Sequence, residues 1–319
     1  MIKKESSDYL IQNFGLTQEE IQKIVEKSIA GGELTDESEL NAWLTNRFFP
    51  NVVSINEIEY SKMCIDALKI LGNTAATDYG GSRQRDLGQL WADMTRGYLG
   101  EMAFSIFLKK NWNISCELGH EIGQLEDYLP MDIHSIKKEG QEERKPNLNI
   151  SIKTTKWNGI WLDIPGDQFR HSDIHVLIKI GVGRDHLFAF FKNLSVFKDK
   201  VLKKGVEVGS LTTEESEKLF NNLPSFRPVT AYICGFIRKD ETYKNLSYNG
   251  KKGRKNYNLS AWNGPINPGD LDKIKIKEGI LGTIKFEGIG NFAHDKGFLF
   301  NAGNLLWRKT DWDNVINLL

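Results

Sequence analysis

The sequence predicts a mixed α/β (α+β) protein: a central mixed sheet flanked by helices, with a helical region at the N-terminus. Three observations carry this. Apolar residues recur at helical spacing through residues 1 to about 75, a long helix-period run starts near Leu87, and short β-branched runs bounded by turn residues follow it. Helix, then strands, then mixed elements suits layers packed on one sheet. A chain of 319 residues has enough apolar content for a sizeable core and one or two domains. The composition shifts suggest a helical N-terminal region over 1–75, a core over 76–245 and a mixed C-terminal segment over 246–319, the last either part of the core domain or separate from it.

The elements follow in order. Thr17 with Glu20 three positions later forms a capping box ahead of Ile21, Ile24 and Val25, and Ala30-Gly31-Gly32 ends that helix. A second helix opens at Leu34–Glu39 and runs to about Phe49, and a third spans Glu57 to Leu71. Three short helices suit a DNA reader of helix-turn-helix type, a cap on the core, or a dimer interface. Behind a polar loop at 80–86, a long helix runs from about Leu87 to Lys109. Strands are readable at 131–135, 148–155, 160–164, 174–180 and 186–191, a helix at 212–221, and further strands at 229–238, 282–287 and 297–300.

Charge and cysteine content exclude some classes. The 42 basic residues equal the 42 acidic ones, so no global positive charge draws the chain to nucleic acid. A balanced total still permits a locally basic cleft. Cys64, Cys116 and Cys234 are isolated, which supports neither a zinc site nor a disulfide framework and fits reduced thiols. The opening residues lack the apolar run of a signal peptide, and no segment reaches the length of a membrane span. The expectation is a soluble, cytoplasmic protein without membrane partners. No Gly-x-Ser-x-Gly occurs, and Gly181-Val-Gly-Arg184 lacks the lysine and third glycine of phosphate loops.

The stretch Asn149-Ile-Ser-Ile-Lys-Thr-Thr155 carries the most chemical information. As a strand it places Ser151 and Lys153 on one side, about 7 Å apart. Its lysine lies in a strand with apolar Ile150 and Ile152, where a charge has no packing reason to be. Asp132 lies upstream in Leu-Pro-Met-Asp-Ile-His, at the start of an apparent strand, and Glu101 sits in an apolar stretch of the long helix. An acid on a helix, an aspartate on one strand and a lysine on the next can assemble a divalent-metal site for phosphodiester hydrolysis. The residues from Gly97 to Ile180 here resemble the PD-(D/E)xK nucleases, and among them the type II restriction endonucleases.

That resemblance implies a restriction-endonuclease-like core. It further implies site-specific cleavage of double-stranded DNA to leave 5′-phosphates, with Mg²⁺ as cofactor and Mn²⁺ as a substitute. Asp132 would be the primary metal ligand, the carbonyl of Ile152 another, and Lys153 the cation at the attacking water. The usual acid two before the lysine is Ser151 here, as in a subset of restriction enzymes that recruit the missing acid from elsewhere. Glu101, Asp163 and Asp167 are the possible sources, in that order. A homodimer on a two-fold symmetric site and a DNA methyltransferase in the same host are the implied partners. A structure-selective repair or recombination nuclease on the same core, and a DNA-binding protein with a decayed site, are the alternatives. Lys251, Lys252, Arg254 and Lys255, interleaved with Tyr248 and Tyr257, suit phosphate contacts, as do Arg83 and Arg85. His171, Asp173 and His175 alternate on one strand face; that spacing permits a transition metal but is more often structural.

Overall fold

The computed structural model describes residues 4–71, 86–119, 132–239, 256–259, 262–266, 283–286 and 297–319, with all side chains except those of residues 167, 256–259, 266 and 283–286. The chain opens with α1 (Lys4–Phe14) and α2 (Gln18–Ala30). Thr17 and Glu20 close the expected capping box on α2, and Gly31 ends it. The second expected helix is instead a chain of short helical turns. Asp36 caps a tight turn at Glu37–Glu39, and α3 (Leu40–Trp43), a wide turn at Leu44–Phe48 and a tight one at Phe49–Asn51 follow. A short strand that the sequence reading missed, β1 (Val52–Ile55), precedes α4 (Glu57–Leu71).

The long helix is α5 (Leu87–Trp112), capped by the Asp86 side chain and stopped by Asn113 in a left-handed conformation at φ 54°. Then come β2 (Ile114–Leu118), β3 (Ile133–Lys138), β4 (Ile150–Lys156), β5 (Trp161–Pro165), the one-turn α6 (Gly166–Phe169) and β6 (Ile174–Ile180). The segment at 186–191, read from its sequence as a strand, is instead a helix, α7 (Arg184–Asn193). His186, Ala189 and Phe190 recur at three- and four-residue spacing on its buried side, and the Gly183 amide donates to His186 Nδ1 at 3.1 Å, closing its first turn. After α8 (Lys203–Glu207) and α9 (Thr213–Asn221) comes β7 (Val229–Arg238), followed by β8 (Asn256–Leu259), β9 (Asn263–Ile266), β10 (Thr283–Phe286), β11 (Gly297–Asn301) and α10 (Lys309–Ile316).

The central sheet is mixed, in the order β1-β7-β6-β4, with β4 parallel to β6 and the other pairs antiparallel. Every residue of β6 is buried, as a strand covered on both faces requires. Alternation sorts the side chains into two cores. On the first face Ile150, Ile152, Ile174, Val176 and Ile178 pack with α4, α5 and α10 through Met63, Phe104, Phe107 and Trp312. On the second face Leu177, Tyr232, Cys234 and Ile237 pack with the N-terminal helices and with β5 and β11. Strands β5, β11 and β9 form a separate antiparallel sheet, and β2 pairs with β3. Helix α5 lies so close to β4 that a Cβ at Gly100 would stand 1.8 Å from Thr154 Oγ1. Only glycine permits that approach.

A buried charge cluster ties the N-terminal region to the second face. Glu33, with no exposed side-chain surface, pairs with Lys179 of β6 at 2.5 Å and faces Arg47 at 3.9 Å. Tyr232 of β7 donates its hydroxyl to the same carboxylate at 2.7 Å, and Arg47 also donates to the carbonyls of Cys234 and Ala302. Burial alone would raise the Glu33 carboxyl, but Lys179 and then Arg47 reverse this and hold it below its ordinary value. Cys64, Cys116 and Cys234 are free thiols, which burial pushes up to about 11, 12 and 12. Among the described residues no helix is long and apolar enough to cross a membrane.

Candidate functional site

Strand β4 is where the sequence-predicted residues gather. Among the described strands it ends the central sheet, and its outer edge meets the residue that leads into β3: the Asp132 amide donates to the Ile150 carbonyl at 3.3 Å. One step along the same edge, the Ile152 amide donates to the Asp132 carboxylate. The N–H and C=O of one strand residue point to the same edge, so the Ile152 carbonyl also faces the side on which Asp132 sits. Asp132 thus lies beside the residue immediately before Lys153.

Lys153 projects onto the second face of the sheet. Register pairs Ser151 with His175 and Lys153 with Leu177, so Ser151, Lys153 and His175 share that face. The Lys153 ammonium donates to Gln168 Oε1 at 2.7 Å. Gln168 belongs to α6, the short turn in the crossover between β4 and β6, and its neighbour Phe169 stacks on the His175 ring at 5.3 Å with 7° between planes. Phe298 of β11 stacks in turn on Phe169 at 3.7 Å. His175 is fully buried, and neither ring nitrogen makes a hydrogen bond of normal geometry. Burial, followed by the charge of Lys153, pushes this histidine down to about 4, so it is neutral near pH 7.

The other predicted residues are placed less uniformly. Glu101 is half-buried on α5, one residue after the glycine that touches Thr154 of β4, and so belongs to the first face. Ser151 is almost fully buried opposite His175. Asp163 lies in β5 opposite Leu299; its neighbours Leu162 and Ile164 enter the second core, so its own side chain alternates to the far side of that strand. The backbone of Asp167 lies in α6, and its side chain is outside the described residues. So are Arg83, Arg85, Lys251, Lys252, Arg254 and Lys255.

His171 is exposed ahead of β6, Asp173 accepts from the Asn149 amide at 2.9 Å, and His175 is sealed beneath Phe169. Among the described residues no group of three or more His, Cys, Asp or Glu side chains is placed to hold a metal. The donors that Asp132 offers with Ile152 are few and all oxygen, which suits Mg²⁺, an ion that keeps several waters when one or two carboxylates bind it.

Sequence reasoning missed Gln168 and the role of Phe169. Their only signal was Pro165-Gly166, which marks a turn without saying what it carries. Comparisons with protein-family models, with curated proteins and with solved structures found no match to this chain.

Proposed function

We propose that this chain is a Mg²⁺-dependent endonuclease of double-stranded DNA, built on a restriction-endonuclease-like core of the PD-(D/E)xK kind. The observation that carries the reading is the seating of the Asp132 carboxylate on the Ile152 amide, at the open edge of the strand that bears Lys153. The order of elements agrees with it: helix α5 with Glu101, the β2–β3 pair, β4 with the lysine, and a crossover to the parallel β6.

Asp132 and the Ile152 carbonyl would hold the ion, with Glu101 the first-ranked candidate for a second acid. Bound there, Mg²⁺ would act as a Lewis acid on the scissile phosphate. The chain's own residues position the rest. An ammonium has three N–H donors. Gln168 takes one from Lys153 at 2.7 Å, which would leave the other two for a water or a phosphate oxygen. His175, neutral beneath Phe169, adds no competing cation beside the lysine. The resemblance also implies 5′-phosphate ends, a homodimer, a companion DNA methyltransferase and a restriction role in the cytoplasm. A repair or recombination nuclease would use the same core. Ser151, buried against His175 where the family places an acid, gives a decayed DNA-binding protein its one support.

The test is incubation of the purified chain with unmethylated phage DNA and Mg²⁺, alongside Asp132→Ala and Lys153→Ala. Discrete fragments from the wild type, and a loss of a hundredfold or more in each variant, are expected when one preorganised catalytic group is removed. Cleavage above about a tenth of the normal rate in either variant would overturn the site. Binding without cleavage by the wild type would leave the decayed reading standing.

A further inference from the structure

The basic segments that sequence reading assigned to DNA lie outside the described residues, but the fold assembles another cationic surface beside Lys153. Lys239 follows β7 directly, and its amide donates to the Asp173 carbonyl at the start of β6. Its ammonium donates to the Arg170 carbonyl. Arg170 comes one residue after Phe169, which covers His175, and both Arg170 and Lys239 are exposed. Register ties this group to the candidate site: Ser151 of β4 pairs with His175 of β6, and His175 pairs with Ile237 of β7, two residues before Lys239. Lys153 and Lys239 therefore flank His175, and the bond from Lys239 holds the Arg170 backbone beside it. The fields of Lys153 and Lys239 both fall on His175 and help to keep it neutral. The nearby acid, Asp173, is engaged by the Asn149 amide.

We propose that Arg170 and Lys239 form, with Lys153, a phosphate-binding track that holds the DNA backbone beside the bond to be cut. The proposal rests on the nuclease reading for the identity of its ligand. Strand spacing sets the scale. Register pairs Lys153 with Leu177 and Leu177 with Gly235, four residues before Lys239, so Lys239 stands about 10 Å across the sheet from Lys153 and about 13 Å along it. That diagonal of roughly 16 Å corresponds to about five base-pair rises along the axis of B-form DNA. Among the described residues the Lys239 ammonium has one acceptor, the Arg170 carbonyl, which leaves two donors for phosphate oxygens, while the Arg170 guanidinium offers a fork that matches a phosphate.

The experiment measures the affinity of the full chain for a short mixed-sequence duplex, in EDTA to prevent cleavage, over a series of salt concentrations. Each neutralised phosphate contributes about 0.9 to the slope of log affinity against log salt, so Arg170→Gln with Lys239→Gln should lower that slope by roughly 1.8. Arg170→Gln alone, in an exposed side chain whose backbone carbonyl is kept, should lower it by about 0.9. That single variant decides the matter if the double one does not fold. Lys62→Gln with Lys69→Gln, on the outer side of α4 at the opposite face, should leave the slope unchanged. An unchanged slope in the Arg170 variant of a wild type that binds and cuts DNA overturns the track and leaves the nuclease reading intact. A reduced slope in a protein that never cuts supports the track and overturns the nuclease reading. No binding by the wild type overturns both.

Discussion

The Glu33 cluster holds one carboxylate against two cations, and this makes its variants unequal. In Glu33→Gln, Lys179 and Arg47 remain buried together with no counter-charge, although each was placed for it at 2.5 Å and 3.9 Å. Lys179→Met instead leaves Glu33 and Arg47 as a balanced pair with the Tyr232 hydrogen bond intact. Breaking a buried pair so that a charge is stranded costs about 3–5 kcal/mol, and two stranded cations place Glu33→Gln at the upper end. Lys179→Met loses a charge-assisted hydrogen bond, about 1.5–3 kcal/mol. Adding Lys179→Met to Glu33→Gln should then restore stability, because it removes one of the two unpaired cations. Urea melts at pH 7 read all three. The wild-type advantage over Glu33→Gln should also fall with acid: the folded carboxyl lies below its ordinary value of 4.5, so its contribution is full above that pH and fades as pH drops through the folded value. A double variant less stable than Glu33→Gln, or a Lys179→Met loss as large as that of Glu33→Gln, would refute this account.

Other consequences follow from single contacts. Gln168→Leu should lower kcat roughly ten- to a hundredfold through the lost hydrogen bond to a charged group, with DNA affinity unchanged and Gln168→Glu recovering part of the rate; an equal loss of affinity would make Gln168 a DNA contact rather than a positioning residue. Gly100→Ala should destabilise the chain by about 1–3 kcal/mol or more, since the new methyl meets Thr154 Oγ1, and Thr154→Ala should relieve it; an unchanged melt would refute the contact. His175 titrates near 4 in the fold and near 6.5 when unfolded, so acid favours the unfolded chain across that interval. His175→Leu should remove up to about 3 kcal/mol of that acid sensitivity, read as a flatter dependence of urea stability on pH between those values.

What the sequence made legible was decided mostly by local chemistry. The Thr17–Glu20 box, the Gly31 stop, α4, the α5 run and the ends of β6 and β7 follow from capping and from unbroken apolar stretches. The errors come where tertiary contacts outrank pattern. The His186–Phe191 run is aromatic enough to read as a strand, yet a cap at Gly183 and the packing of Ala189 and Phe190 make it a helix. β1 is four residues long, too short for a periodic signal, and is fixed by pairing with β7 and packing in both cores. At the site, Asp132, Ser151 and Lys153 were visible because an acid or a lysine within an apolar strand needs a reason. Gln168 was invisible because an amide in a turn has many harmless explanations, and only the crossover geometry brings it to Lys153.

The same geometry ranks the candidates for the missing acid. Strand β4 presents alternate side chains to opposite faces, with Thr154 against α5 and Lys153 toward α6, so groups from both faces can converge only at its open edge. Asp132 already occupies that edge at Ile152. On the proposed nuclease reading, a second carboxylate would therefore come from an element beside that edge. Helix α5 packs on the first face beside that edge, with Gly100 directly on Thr154 and Glu101 next in sequence. β5 belongs to another sheet, and its alternation sends Leu162 and Ile164 inward and Asp163 outward. Glu101→Ala should accordingly lose cleavage by about a hundredfold over a Mg²⁺ titration, the size expected for a catalytic group, while Asp163→Ala keeps nearly all of it. The reverse result would mean that β5 turns its acid to the edge when DNA binds, and equal activity in both variants would mean that neither acid serves a metal held by Asp132.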